Sequence, residues 1–266
     1  LEGPEEKLKL TQNTQPAILT VSYAIFSVLK KEFNFNFEKT KFFAGHSLGE
    51  YSALVCADAL NFKDALYLLY ERGKSMQEAV PVGRGSMIAV LGSKVDELNF
   101  LIKDNEIKGV CEIANDNAEG KTIISGDVES VNFLQNLLKE NKKKFIPLNV
   151  SAPFHCSLMK PAASKMKDKI NSVNFKKPIF DIVSNVTSKS ENNPENIKRL
   201  LVEQIFSTVR WRESIINMSK ENVSSFIEIG PGKVLSGMTK RTIKNINCFS
   251  INSIDDMKKT MDEHKK

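Results

Sequence analysis

Lys41-Phe42-Phe43-Ala44-Gly45-His46-Ser47-Leu48-Gly49-Glu50-Tyr51-Ser52-Ala53-Leu54 decides the reading of this chain. A short apolar run leads into Gly-x-Ser-x-Gly, and a helix-competent segment follows. That succession of strand, sharp turn and helix is a nucleophile elbow. Gly45 and Gly49 lack Cβ atoms, which lets strand and helix approach closely around the bend. Ser47 then stands at the tip with its hydroxyl exposed. It lies where a helix begins, and free backbone N–H groups there can stabilise an oxyanion.

A serine hydroxyl needs a general base to attack near neutral pH, and histidine suits that task. The chain has three histidines. His46 sits on the strand side of the elbow, so its side chain is expected to point away from that of Ser47. His264 belongs to the terminal tail Glu263-His264-Lys265-Lys266. His155 remains, in the loop-like stretch Ser151-Ala152-Pro153-Phe154-His155-Cys156, and is the expected base. The order matters. An α/β-hydrolase runs serine, acid, then a late histidine, whereas His155 is mid-chain and no acid precedes it at a strand end. An ordinary lipase or esterase is therefore disfavoured, and a dyad with His155 oriented by a carbonyl becomes plausible. Arg72 stands out in a Lys-rich chain with six arginines. It falls at the edge of a helical apolar stripe. Two readings stay open: it snorkels to water, or it binds a carboxylate or phosphate through two parallel hydrogen bonds.

Outward from the elbow, Thr14 and Pro16 open a helix with a stripe of Ile18, Val21, Ile25 and Val28. Asn61 caps another, lined by Phe62, Leu66, Leu69, Gly73 and Met76. From Gly85 to Val150 the pattern changes: strand Ser86 to Leu91, a helix, strands Val110 to Ala114 and Thr122 to Ser125 around a polar turn, a helix, then strand Lys144 to Leu148. The order β-α-β-β-α-β is the ferredoxin-like signature. Afterwards helices near Pro161 to Ile170, Pro194 to Phe206 and Val234 to Ile243 alternate with strands Ile179 to Ser184, Ser225 to Ile229 and Cys248 to Ile251. This alternation implies a largely parallel sheet covered on both faces. The expected fold class is α/β, with residues 1–84 and 151–266 as a large catalytic subdomain and 85–150 as an inserted ferredoxin-like small subdomain. The polar loop Ser188 to Asn193 and the charged tail after Asp255 read as solvated surface.

With 266 residues, 41% hydrophobic and 26% charged, the chain has the composition of a globular protein. No apolar run is long enough to span a bilayer, and the acidic, polar start does not resemble a signal peptide. Cys56, Cys111, Cys156 and Cys248 are scattered without a C-x-x-C pair, which argues for free thiols in a reducing cytoplasm and against a metal site. The net charge of +6 suits an acidic partner, although a Lys- and Asn-rich composition with solvated lysines explains it more simply. No basic–aromatic interleaving points to nucleic acid.

The elbow segment resembles the active-serine segment of malonyl-CoA:acyl carrier protein transacylases. Arg72-Gly73-Lys74-Ser75-Met76-Gln77, Phe154-His155-Cys156-Ser157-Leu158-Met159 and Glu228-Ile229-Gly230-Pro231-Gly232-Lys233-Val234-Leu235 resemble further segments of that family, in family order. The resemblance implies an α/β-hydrolase-like core. It also implies malonyl transfer from malonyl-CoA to the phosphopantetheine thiol of acyl carrier protein, by a ping-pong route through malonyl-Ser47. His155 would be the base, the Leu48 N–H an oxyanion donor, and the Gln204 main chain the group that orients His155. Arg72 would grip the malonyl carboxylate. His46, Asn117 and Phe154 would border the substrate, with Asn117 in the small-subdomain turn and Phe154 leaving little room for a methyl branch. No cofactor or metal is implied, malonyl-CoA being a substrate. The partner is acyl carrier protein, with no nucleic acid or membrane, and the protein is expected to be a cytoplasmic monomer. Lys233, Lys240, Arg241 and Lys244 are candidate carrier contacts, although a solvated face explains them as simply. One departure stands out: the family's N-terminal strand and Gly-Gln-Gly-x-Gln loop have no counterpart here. That loop supplies a second oxyanion donor, and losing one costs on the order of 3 kcal/mol. The expectation is that the chain lacks the family's N-terminal segment, which would leave a central sheet position empty and put the activity of these residues alone in doubt. A serine thioesterase or esterase, an acyltransferase module of a polyketide synthase and a non-catalytic remnant are the alternatives.

Overall fold

The computed structural model describes residues 3–150 and 152–264. Ser151, placed above at the head of the His155 loop, lies outside the described residues, as does the side chain of His264. The elements in chain order are α1 (Glu5–Leu8), α2 (Thr11–Lys31), β1 (Phe42–Ala44), α3 (Gly49–Cys56), α4 (Phe62–Glu78), β2 (Gly85–Leu91), α5 (Val95–Asp104), β3 (Cys111–Ala118), β4 (Lys121–Asp127), α6 (Val128–Glu140) and β5 (Lys144–Pro147). They continue with α7 (Lys160–Asn171), β6 (Asp181–Val183), β7 (Ser190–Glu191), α8 (Pro194–Gln204), α9 (Trp211–Lys220), β8 (Ser225–Ile229), α10 (Val234–Thr242), β9 (Asn247–Ile251) and α11 (Ile254–His264). The protein is a mixed α/β structure.

The parallel strands do not form one sheet. β1 pairs with β6 in parallel, β7 adds antiparallel to β6, and β8 pairs with β9 in parallel as a separate ladder. Among the described residues no strand joins β1 to β8. Residues of both line a cavity of about 1100 Å³. Among the described residues the parallel strands thus stand as two ladders across a gap. Residues 85–147 form their own four-stranded sheet, order β3-β4-β2-β5, with every neighbouring pair antiparallel. On one face of it Ile88, Val90 and Ile124 pack with Val131, Leu134 and Leu138 of α6 in a separate buried cluster.

Local departures have physical reasons. The first long helix begins at Thr11 with Leu10 as N-cap, so Thr14 is no cap; its hydroxyl donates back to the Leu10 carbonyl at 3.1 Å. Its buried face is Gln15, Leu19, Ser22, Ile25, Phe26 and Leu29, so of the expected stripe only Ile25 is buried. The polar Gln15 lies inward because it has a partner there, described below. Asn61 does cap α4, accepting from the Lys63 N–H at 2.8 Å. At Gly73 an added Cβ would lie 2.5 Å from the Gln12 Cα, so α2 and α4 pack closely at that point. Two segments read as solvated are partly inside. Ser188 is buried and precedes edge strand β7, and the charged tail is helix α11, whose Met257 and Thr260 are buried.

Candidate active site

The bend at Ser47 follows from its flanks. β1 ends at Ala44, α3 starts at Gly49, and Ser47 between them has φ 52°. This left-handed conformation costs a residue with a Cβ roughly 1–3 kcal/mol. A Cβ at Gly45 would fall 1.9 Å from the Gly49 carbonyl carbon, so only glycine fits position 45. Gly49 differs from expectation: a Cβ there meets nothing within 4 Å. The close approach thus depends on Gly45 alone.

The structure brings His155 to Ser47 across 108 residues, with Ser47 Oγ and His155 Nε2 2.7 Å apart. His155 also has a positive φ, 57°. Its Nδ1 lies 2.9 Å from the Gln204 main-chain oxygen, so Nδ1 carries the proton and Nε2 is the free acceptor facing Ser47. Burial, and then the charge of Arg72, pull the His155 pKa down to about 3. The ring is therefore neutral at physiological pH, the state a general base requires.

Arg72 is 1% exposed and does not snorkel. Its Nη1 donates to Gln15 Oε1 at 2.7 Å, and its Nη2 to Gln204 Oε1 at 2.8 Å and to Ser47 Oγ at 3.0 Å. Its Nε–H has no partner among the described residues. The guanidinium also lies over the Tyr51 ring, 5.9 Å from the centroid. The Gln204 side chain donates to the Ser47 carbonyl at 3.0 Å and to Glu50 Oε2 at 2.8 Å. Glu50 is buried, which pushes its pKa up to about 7. The Leu48 N–H, at the start of α3, carries no protein hydrogen bond among the described residues.

The four-stranded sheet supplies the facing rim. His46 reaches that sheet, with Nε2 2.7 Å from Asn117 Oδ1, and its ring is edge-on to Trp211. Burial lowers the His46 pKa. Asn115, Asp116 and Asn117 are not in a turn, as expected above, but are buried in β3 where its register shifts against β4. Bulges of this kind re-aim side chains. The turn itself is at Glu119 and Gly120. Asp116 pairs with Arg212 at 2.8 Å, and Glu112 accepts from the Ser157 N–H and hydroxyl just after His155. Phe154 is half-buried between the main core and the Met87, Ala89, Ala114 and Ile123 cluster. Lys233, Lys240, Arg241 and Lys244 are all exposed.

Sequence reasoning missed Gln15, Glu50, Asn185 and the helix α9 that carries Trp211 and Arg212. Only α9 had a readable signal: Trp211, Ser214, Ile215 and Met218 are its buried face at helical spacing.

The acyl transferase domain family model matches residues 1–265. The malonyl CoA-acyl carrier protein transacylase of Bacillus subtilis is 44% identical over 252 residues, 94% of this chain and 78% of that protein. The Escherichia coli K12 transacylase of the same name is 40% identical over 261 residues, 94% of this chain and 81% of that one. The crystal structure of the acyl-carrier-protein S-malonyltransferase of Bartonella henselae superposes with a TM-score of 0.95 at 40% identity, covering 100% of this chain and 85% of that one. A malonyl-transacylase solved with a type II polyketide acyl-carrier protein gives 0.94 at 38% identity, covering 98% and 84%. The chain belongs to the acyl transferase domain family, among the malonyl CoA-acyl carrier protein transacylases.

Proposed function

We propose that this protein transfers a malonyl group from malonyl-CoA to the phosphopantetheine thiol of acyl carrier protein through an ester on Ser47. The observation that carries the reading is the 2.7 Å contact of Ser47 Oγ with a buried, neutral His155 held by the Gln204 carbonyl. His155 Nε2 takes the hydroxyl proton as Oγ attacks the thioester carbonyl. The tetrahedral oxyanion forms beside the Leu48 N–H. Collapse breaks the C–S bond, and the His155 proton passes to the departing thiolate of coenzyme A. In the second half the carrier thiol gives its proton to His155 and attacks the ester. The C–O bond to Ser47 then breaks, and Oγ recovers the proton.

Arg72 selects the acyl group. Once Ser47 is an ester, Nη2 loses a hydroxyl acceptor, and the malonyl carboxylate supplies a better one beside the unpaired Nε–H. An acetyl group leaves these donors unmatched. His46, Asn117 and Phe154 border the acyl chain. The strand order and antiparallel pairing of residues 85–147 support a ferredoxin-like subdomain, and we read it as inserted into an α/β-hydrolase-like core of residues 1–84 and 151–266. Among the described residues no helix is long and apolar enough to cross a membrane. The proposed cycle uses no metal or cofactor.

Radiolabelled malonyl-CoA tests the reading. One acid-stable label per chain is expected on Ser47, passing to carrier protein on its addition. Label retained in Ser47→Ala, or free malonate as the main product with carrier present, overturns it.

A further inference from the structure

We infer that Asn185 is a positioning residue for this reaction, the brace that fixes the Ser47 elbow, with Glu50 as its anchor. The inference deepens the transacylation reading and rests on it. Asn185 follows strand β6 and is fully buried. Its Oδ1 accepts from the Ser47 N–H at 2.7 Å, and its Nδ2 donates to the Gly45 carbonyl at 2.8 Å. One rigid amide therefore grips the bend on both sides of His46.

That grip acts where the backbone is strained. Ser47 sits at φ 52°, a region that few residues other than glycine, asparagine and aspartate occupy. Rotation about the Ser47 N–Cα bond is what would relax it, and the nitrogen at one end of that bond is the atom Asn185 holds. A relaxed φ carries Oγ away from His155, because the side chain swings with the backbone.

The brace is anchored in turn. The Asn185 main-chain N–H donates to Glu50 Oε2 at 3.1 Å, and the same oxygen accepts from Gln204 Nε2 at 2.8 Å. Glu50 thus joins the brace of the nucleophile to the residue whose carbonyl orients the base. Neither Asn185 nor Glu50 hydrogen-bonds the Ser47 hydroxyl, the His155 ring or Arg72 among the described residues. Their effect on chemistry passes through main-chain geometry. They also supply, by a different route, the restraint that a triad carboxylate gives directly to its histidine.

Single-turnover labelling with radiolabelled malonyl-CoA tests this, read alongside KM and thermal unfolding. Asn185→Ala is expected to slow acid-stable labelling of Ser47 roughly 100-fold, the scale of a nucleophile misplaced by about 1 Å. KM should stay within about threefold, since binding groups are untouched. Glu50→Ala is expected to fall in the same direction. Glu50→Gln, which keeps an acceptor for both N–H groups, should return the rate to within about threefold of wild type. The double variant Asn185→Ala/Glu50→Ala should be no slower than Asn185→Ala alone, because both act on one element. Wild-type labelling in Asn185→Ala overturns the inference, as do equal rates in Glu50→Ala and Glu50→Gln. If Asn185→Ala does not fold, Asn185→Asp is read instead: it keeps the acceptor for Ser47 and loses the donor to Gly45, so an unchanged rate overturns the brace. A wild-type protein without label on Ser47 is a separate outcome, which removes the transacylation reading itself.

Discussion

On the floor of the cleft, Ser47, His155, Arg72, Gln204, Glu50 and Asn185 form one hydrogen-bonded network in which every member but Ser47 is buried. On the rim, β3 meets the rest of the molecule through a short main-chain bridge to Val209 and through separate side-chain pairs: Asn117 with His46, Asp116 with Arg212, and Glu112 with Ser157. The floor is coupled and dry, so removing one group leaves others unpaired in low dielectric. The rim's side-chain ties share no members, and one of them reaches a partly exposed arginine. The first arrangement performs and aligns chemistry, and the second keeps the two halves of the cleft in register.

The sharpest break of this contrast is His155→Ala. Turnover should fall on the order of 10⁴-fold or more, as when one member of a nucleophile–base unit is lost. Malonyl-labelling kinetics measure it, and a tenfold loss would place the base elsewhere. Arg72→Ala comes next. Malonyl transfer is expected to fall by roughly 100-fold or more, with acetyl loading reduced much less or raised, because only malonyl satisfies the guanidinium. Equal losses for both acyl groups would remove the selective role.

A pH series separates floor from rim without mutation. His155 is held down to about 3 by burial and Arg72. The base form is populated above that value, so kcat/KM should show no histidine limb near the ordinary value of about 6.5. Glu50, pushed up to about 7, titrates in that range. Its protonated form keeps an acceptor, as Glu50→Gln does, and should change the rate by no more than about threefold. Arg72 lowers this pKa, so its removal must raise it. In Arg72→Ala the acid limb of acetyl loading should therefore move up in pH. The smallest effect belongs to the rim. Arg212→Ala leaves Asp116 buried and unpaired, at about 1.5–3 kcal/mol for a charged hydrogen bond. Melting should drop by several degrees, while turnover falls less than about tenfold. A loss comparable to that of His155→Ala would make the rim part of the machinery.

The elbow was legible because glycine, serine and a following helix are local signals, and His155 because histidine is scarce in this chain. Arg72 was legible as an anomaly but not in direction, since its burial depends on how closely α2 crosses α4 at Gly73. Gln15, Glu50 and Asn185 are ordinary polar residues on separate elements. Only the parallel pairing of β1 with β6, and the packing of α2 on α4, bring them together. The four-stranded sheet could be read strand by strand because its strands are close in sequence. The two parallel ladders could not be joined or separated from pattern alone, since a short apolar strand carries no mark of its neighbour. The Asn115 to Asn117 stretch was misplaced for a related reason: polar residues in a bulged strand look like a turn.

The chain passes through the whole β2 to β5 unit between Ser47 and His155, and the strand that fixes Asn185 comes later still. Catalytic competence is consequently expected to be a late event in folding. The helices and the antiparallel sheet draw on nearby contacts, whereas the working pair awaits closure of a loop of 108 residues. In a refolding chain, spectroscopic structure should return ahead of acyl transfer, so enzyme activity registers the completed molecule and not its parts.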